Sequence, residues 1–173
     1  SAAALAEGDA KDPAAAMRIA RKRLALDPAD LSASTRLERS YEYQRDSTGL
    51  IEVLKIRLSA PGADRVSLHR KIATVSEEGA RDVETATEHY RKILELEPEH
   101  REALEALGRI YESTEQWAEL VDVTRRQIKV TTDRNTKALL YFKCGSVMEA
   151  KFGREHDAIR YYDAAIKTSP NCL

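Results

Sequence analysis

Four histidines and two cysteines are the residues of this 173-residue chain that most often bind metals or act as nucleophiles. Histidines four residues apart on a helix, or cysteines two residues apart, would predict a metal site. None of these histidines has such a partner, and we predict that each is a structural or solvated side chain. The sequence has no glycine-rich phosphate loop and no motif for an activated nucleophile. We therefore expect no catalysis, no cofactor and no bound metal. The residues concerned are His69, His89, His100, His156, Cys144 and Cys172.

Glutamates recur along the chain at steps of 35, 35, 35 and 37 residues. They accompany a strip of basic residues in the same segments. Such a pattern can line a surface that holds a peptide carrying both charges. It can also hold neighbouring helices in register through ion pairs that are individually worth little. We favour the ion pairs for the glutamates, whereas both interpretations stay open for the basic strip. The glutamate ladder is Glu7, Glu42, Glu77, Glu112 and Glu149.

These segments belong to an internal repeat. The stretch "LERSYEYQRDSTGLIEVLKIRL" at 37–58 matches "LGRIYESTEQWAELVDVTRRQI" 70 residues later, and Pro98 matches Pro170 at a shift of 72. Apolar residues recur at helical spacing in each segment. The unit is therefore a pair of helices repeated about every 34–37 residues. Because one helix pair cannot bury its own apolar face, the repeat predicts a stack of pairs.

The repeat resembles the tetratricopeptide repeat. Its signature has Leu-Gly and Tyr in the first helix, then Ala and an aromatic residue in the second helix, and a closing Pro. The resemblance covers nearly the whole chain and implies an all-α, right-handed α-solenoid of antiparallel helix pairs. Two units lack the closing proline, and Leu120 replaces one of the alanines. The matching residues are Leu107-Gly108 with Tyr111, Ala86 with Tyr90 and Pro98, and Ala158 with Tyr162, Ala165 and Pro170.

One array is expected over 1–173, with a partial unit at 1–28 and units at 31–60, 65–98, 101–130 and 137–170. The first unit holds only the tail of a first helix, and no polar capping helix follows Pro170. We therefore expect a fragment of a longer array, or ends that another copy covers. Ala73, Gly108 and Gly145 lie where paired helices approach closely. We predict that Cys144, beside Gly145, is a buried, inert thiol.

The resemblance implies that the first helices line a concave groove. Tyr43 and Phe142 are the aromatic residues that we expect to contact a ligand there. No asparagine lies on this face, so we do not expect the Lys, Asn and Arg clamp with which some family members grip the C-terminal carboxylate of chaperones. We predict that Tyr41, Tyr90, Tyr111 and Tyr162 belong to the core. The groove candidates are Arg36, Arg39, Tyr43, Arg70, Lys71, Thr74, Arg109, Phe142 and Lys143.

Acidic and basic residues are nearly equal in number, 29 against 28, and are mixed along the chain. This balance disfavours a nucleic-acid or membrane surface, and an RNA-binding helical repeat is only a distant third hypothesis. No signal peptide is visible, so the cytoplasm is favoured. We predict a non-catalytic protein–protein interaction scaffold that binds a peptide or helix of a partner in the groove. The alternative is a structural spacer or a self-association module, which forms a homo-oligomer through uncapped ends or the convex face.

Overall fold

The computed structural model describes residues 12–170, which form nine α-helices and no strand. Consecutive helices are joined by short loops into antiparallel pairs, and the predicted all-α fold class is confirmed for this part of the chain. We number the helices in chain order. They are α1 (Pro13–Leu26), α2 (Leu31–Gln44), α3 (Ser47–Leu58), α4 (Arg65–Thr74), α5 (Val83–Leu96), α6 (Arg101–Ser113), α7 (Trp117–Val130), α8 (Arg134–Phe152) and α9 (Glu155–Thr168).

The chain divides into two compact units, Ser1–His89 and Tyr90–Leu173, of which the structure describes 12–89 and 90–170. We call them the N-terminal unit and the C-terminal unit. The first helices of the predicted pairs are α2 and α4 in the N-terminal unit, and α6 and α8 in the C-terminal unit. The other helices are second helices.

Aspartates set the start of most helices. In six helices the side chain of the aspartate before the helix accepts a hydrogen bond from the backbone N–H three residues later. Such a cap satisfies one of the free donors at a helix N-terminus and typically stabilises it by about 1 kcal/mol. These aspartates therefore help to fix the residue at which each of these helices begins. The six caps are Asp12, Asp30, Asp46, Asp64, Asp82 and Asp133.

The core of the N-terminal unit centres on Leu37 and Tyr41, which are both buried. The Tyr41 ring lies directly on Gly49 at the start of α3, where an added Cβ would be 2.3 Å from the ring. A side chain at position 49 would therefore displace the ring. The guanidinium group of Arg21 on α1 lies over the Tyr41 ring, and its Nε donates to the Tyr41 hydroxyl at 2.7 Å.

The core of the C-terminal unit has a corresponding contact. Arg91 of α5 donates from Nε to the Tyr111 hydroxyl at 2.9 Å. Gly145 of α8 lies against the ring of Tyr162, which an added Cβ would approach to 2.6 Å. The thiol of Cys144 is buried, and burial raises its pKa to about 11, as expected for an unreactive cysteine.

The end of α4 differs from the helix that the sequence predicts. The chain continues from Thr74 into a π-helical turn, Val75–Ala80, which ends at Arg81 in the left-handed region. Ser76 lies in this turn at the position that tyrosine occupies in α2 and α6. Its buried hydroxyl has no hydrogen-bond partner within 12–170.

Candidate functional site

The candidate site is the exposed face of the first helices, described separately for each unit. On α2, helical periodicity turns Leu37 and Tyr41 inward and leaves Arg39 and Tyr43 outside, one turn apart. Tyr43 is 92% exposed. Among the described residues, none pairs with Arg39. A cation and an aromatic ring therefore lie side by side on this face, available to a ligand.

A groove of about 680 Å³ borders this face. Its apolar wall includes Ala16 and Met17 of α1 and the start of α2 at Leu31. Hydroxyl groups and the guanidinium groups of Arg36 and Arg39 line the rest. Apolar surface with a few polar groups is the usual composition of a binding groove. The remaining lining residues are Pro13, Ser32, Thr35 and Ser40.

On α4 the candidates separate into two groups. Arg70 is exposed and Thr74 is half-buried. Lys71 instead bonds to α2: its Nζ lies 2.6 Å from Glu38 Oε2 and 2.9 Å from Glu42 Oε1. Burial disfavours the charge on Lys71, but hydrogen bonds to the two carboxylates outweigh this cost and raise its pKa. Lys71 therefore connects the two first helices.

Glu38 is the residue of this site that the sequence analysis missed. It is nearly buried, and Arg57 Nη1 of α3 lies 2.6 Å from its Oε1. Glu38 therefore joins its own second helix and the following first helix through one carboxylate. A signal was present in the repeat, because Leu37-Glu38 stands at the register of Leu107-Gly108. A charged residue where the repeat has glycine predicts a partner close by.

In the C-terminal unit the first-helix face has a different composition. Arg109 of α6 is exposed, and Lys143 Nζ of α8 lies 2.7 Å from Glu112 Oε2. Phe142 is partly exposed, with its ring centroid 5.2 Å from that of Tyr162. Phe142 therefore packs against Tyr162 and still exposes part of its ring to solvent.

Side chains of the glutamate ladder bind neighbouring side chains within each unit. Glu42 and Glu112 bind the lysines of the following first helix, and Glu149 accepts a hydrogen bond from the Tyr162 hydroxyl at 2.7 Å. Glu77 is half-buried in the π-helical turn. Glu7 lies outside the described residues. At Glu42 and Glu112 the ladder links consecutive first helices.

The structure brings together two histidines that the sequence analysis treated separately. The Nδ1 atoms of His69 on α4 and His89 on α5 are 2.9 Å apart, so one ring donates and the other accepts. Burial, then the neighbouring His69, lower the pKa of His89 to about 4. The spacing of 20 residues hides this contact, because it depends on the turn between two antiparallel helices. Residues 12–170 contain no group of three or more metal-binding side chains.

Comparisons with known proteins identify the repeat. A tetratricopeptide repeat family model matches residues 103–138, which hold α6, α7 and the start of α8. No curated protein matches the sequence. Across the described residues, no helix has the length and apolar character needed to cross a membrane.

Solved structures share the fold at low sequence identity. MamA aligns with a TM-score of 0.55 and 18% identity, covering 89% of this chain and 86% of that chain. YrrB, a TPR protein with an unusual peptide-binding site, has a TM-score of 0.55 and 18% identity over 90% of this chain and 77% of its own. BtubC from P. vanneervenii has a TM-score of 0.50 and 17% identity, with 80% and 63% covered. The family model confirms the resemblance to the tetratricopeptide repeat over residues 103–138, and the solved structures show that the chain shares their helical fold.

Proposed function

We propose that this chain is a non-catalytic protein-interaction module that binds an acidic peptide segment of a partner on the first-helix face of its N-terminal unit. The observation that carries the proposal is the groove between α1 and α2. There, Arg36 and Arg39 stand beside the apolar side chains of Ala16 and Met17. An extended segment with carboxylates and one apolar side chain matches both parts of this lining.

The arginines supply the charge recognition. Guanidinium groups bind carboxylates through two parallel hydrogen bonds, which gives both orientation and strength. Arg39 is exposed and pairs with no described residue, so its guanidinium group is accessible to a ligand carboxylate. The exposed ring of Tyr43 lies one turn further along α2. A segment that follows α2 would therefore meet a cation and then an aromatic surface.

Lys71 and Lys143 have a different role in this proposal. Each is bonded to a glutamate of the preceding first helix at 2.6–2.9 Å. A ligand carboxylate would have to compete with a neighbour that is already in place. We therefore assign ligand binding to Arg39 and Tyr43, with Arg36 as a lining residue of the groove, and assign both lysines to the connection between first helices.

The fold supports the general class of function. Helical repeats expose long faces that bind peptides and helices of other proteins, and YrrB is an example with a peptide-binding site. The acidic character of the ligand comes from the residues of this chain alone.

Fluorescence anisotropy with two labelled twelve-residue peptides tests the proposal. One peptide alternates Asp or Glu with Leu, and the other has Lys at every acidic position. We expect saturable binding of the acidic peptide only, with an affinity that falls as salt is raised. Arg39→Glu should weaken it about tenfold or more.

Arg101→Glu is the matched control, because it makes the same charge change at an exposed position of α6. It should leave the affinity within about twofold of the unmodified chain. Equal binding by the Arg39→Glu variant, or equal binding of the two peptides, would contradict the proposed site.

A further inference from the structure

Three outer positions recur at the same register in every first helix. In the N-terminal unit each of these six positions holds an arginine, a serine or a threonine, and none holds a carboxylate. All are exposed except Thr74, which is half-buried. At these positions the unit therefore offers hydrogen-bond donors and positive charge without a competing anion. The six residues are Ser32, Thr35 and Arg39 on α2, and Ser67, Arg70 and Thr74 on α4.

The same positions of the C-terminal unit have a different chemistry. Two of the six are carboxylates and two are apolar, and all six are exposed. The donor-rich face is therefore a property of the N-terminal unit and not of the repeat. The C-terminal residues are Glu102, Glu105 and Arg109 on α6, and Leu139, Phe142 and Ser146 on α8.

The two hydroxyl groups of this face on α2 are not engaged within the protein. A serine or threonine in a helix commonly donates its hydroxyl to a backbone carbonyl three or four residues earlier. Thr87, Thr124 and Thr168 do so here, each at 2.7 Å. Ser32 and Thr35 make no such bond, and no described residue bonds to their hydroxyls. Both hydroxyls are therefore accessible to a ligand.

Arg39 completes a set of three donors on one side of α2. Ser32, Thr35 and Arg39 lie at positions i, i+3 and i+7, so successive members are one turn apart, with Cβ atoms about 5–6 Å from each other. All three line the groove of about 680 Å³. One ligand group can therefore contact the Arg39 guanidinium and the Thr35 hydroxyl together.

A phosphate group fits these donors better than a carboxylate does. A carboxylate has two oxygens, which a single guanidinium group can saturate. The hydroxyls would then lose water without gaining a ligand partner, which lowers affinity. A phosphorylated side chain has three acceptor oxygens and a charge of about −1.5 to −2 at pH 7. It can accept from Arg39 through two oxygens and from the Thr35 hydroxyl through the third.

We propose that the acidic segment bound on this face carries a phosphorylated serine or threonine, held by Arg39 with the hydroxyls of Thr35 and Ser32. The inference rests on the proposed function, because it names the anion that the same groove binds. Arginines are a recurring means of recognising phosphorylated segments. A nucleic acid as the source of phosphate would need an excess of basic residues, whereas the chain has 28 against 29 acidic ones.

Fluorescence anisotropy with four labelled peptides tests this assignment. All four share the sequence that alternates Asp or Glu with Leu, and they differ at one central acidic position. This position is phosphoserine, aspartate, two consecutive aspartates or serine. Two aspartates match the charge of phosphoserine without its three oxygens on one atom. The phosphoserine peptide should bind at least about fivefold more tightly than either aspartate peptide, and the serine peptide should bind most weakly.

Removal of the hydroxyls separates phosphate recognition from charge. Ser32→Ala/Thr35→Val should weaken binding of the phosphoserine peptide about fivefold, and should change binding of the single-aspartate peptide by less than about twofold. Thr132→Val/Ser146→Ala is the matched control, because it makes the same substitutions at exposed positions of the C-terminal unit. It should leave both affinities unchanged. All four residues are exposed, so circular dichroism should show an unchanged fold in both variants.

The outcomes distinguish this inference from the proposed function. Equal binding of the phosphoserine and two-aspartate peptides, or an equal loss of both phosphoserine and aspartate binding in the hydroxyl variant, would overturn phosphate recognition and leave the proposed function standing. Failure of all four peptides to bind would contradict the proposed function itself.

Competition against the labelled phosphoserine peptide identifies the source of the phosphate. The same peptide without its label should displace it. Inorganic phosphate or a single-stranded oligonucleotide should not displace it at an equal concentration. Displacement by either one would overturn the assignment to a phosphorylated protein segment.

Discussion

Glu38 in the N-terminal unit and Gly108 in the C-terminal unit lie at the same register of the repeat. Their counterparts on the second helices are Arg57 and Gln127, which also share a register. In the N-terminal unit the contact is an ion pair of 2.6 Å between Arg57 and Glu38. In the C-terminal unit Gln127 covers the glycine, 3.1 Å from where a Cβ would lie, and donates to the Leu104 carbonyl at 2.9 Å.

The two contacts differ in how many helices they connect. Among the described residues, the Gln127 side chain bonds only to its own first helix, α6, whereas Glu38 also binds Lys71 of the following first helix. A buried ion pair adds little net stability over a well-packed apolar contact, but removal of one partner is costly. Charge at this register therefore makes the N-terminal unit sensitive to single substitutions that the C-terminal unit would tolerate.

The exposed faces of the first helices also differ in composition between the two units. The face of α2 and α4 carries arginines, whereas α6 presents Glu102, Glu105 and Arg109, and α8 presents Leu139 and Phe142. A solenoid can vary this face freely because core packing does not constrain it. The difference is why the acidic peptide is assigned to the N-terminal unit.

The largest loss of stability should come from replacing the buried leucine that both units have at the same position of the repeat. Leu37→Ala and Leu107→Ala each remove a buried leucine and should each cost about 2–5 kcal/mol of unfolding free energy. Urea denaturation measured by circular dichroism reports helices of both units. Fluorescence of Trp117, the single tryptophan, reports α7. Leu107→Ala should lower the fluorescence midpoint more than Leu37→Ala does.

Leu139→Ala is the control for this pair, because Leu139 is exposed on α8. Its effect should stay within about 0.5 kcal/mol. A midpoint that does not move in either buried variant would contradict the register of the repeat.

The next largest loss of stability distinguishes the Glu38–Arg57 contact of the N-terminal unit from the Gly108–Gln127 contact of the C-terminal unit. Glu38→Ala leaves Arg57 and Lys71 without their shared carboxylate and should cost about 1–3 kcal/mol. Adding Arg57→Gln, which copies the C-terminal junction, should recover part of this loss through a coupling of about 0.5–3 kcal/mol. Urea denaturation of the two single variants and the double variant measures the coupling. Strict additivity would show that the Glu38–Arg57 pair carries no interaction energy.

The sequence predicts the fold well because the repeat records it several times. The apolar register, the closing prolines and the aspartate caps each recur, so Leu37, Leu107 and Tyr111 could be placed in the core from spacing alone. The site was less predictable. The resemblance implied that Arg39 and Tyr43 lie on the groove face, but it could not show which cations are already bonded.

Three features required coordinates for a physical reason. The bonds of Lys71 join residues 33 and 29 positions apart in different helices, so they depend on how the helices pack. The contact of His69 with His89 depends on the turn between α4 and α5. The π-helical turn at Val75–Ala80 breaks the regular period. In each case tertiary packing, rather than local pattern, sets the structure.

We expect an acid-dependent loss of stability at His89 in the N-terminal unit. The pKa of His89 is lowered to about 4, first by burial and then by His69, so the unfolded chain binds a proton more readily than the folded chain. The stabilisation is complete above about pH 6.5 and is lost as the pH falls toward 4. With solvent screening, the loss by pH 5 should be about 1 kcal/mol.

Urea denaturation of the unmodified chain and of His89→Leu, at pH 7.5 and pH 5, measures this loss. The variant should lose less stability on acidification than the unmodified chain. An equal slope in both proteins would assign the pH dependence to other groups.

The smallest effect should be at the ladder pair of the C-terminal unit. Lys143 and Glu112 are both substantially exposed, so their ion pair should contribute about 0.2–1 kcal/mol, and less at high salt. A double-mutant cycle with Lys143→Ala and Glu112→Ala, measured by urea denaturation at low and high salt, isolates this coupling. The matching cycle of Lys71→Ala with Glu42→Ala should give a larger coupling, because Lys71 is also bonded to the nearly buried Glu38. Equal couplings in the two units would mean that Glu38 does not strengthen the ladder. The two units would then differ in the residues at these contacts but not in the interaction energy of their ladder ion pairs.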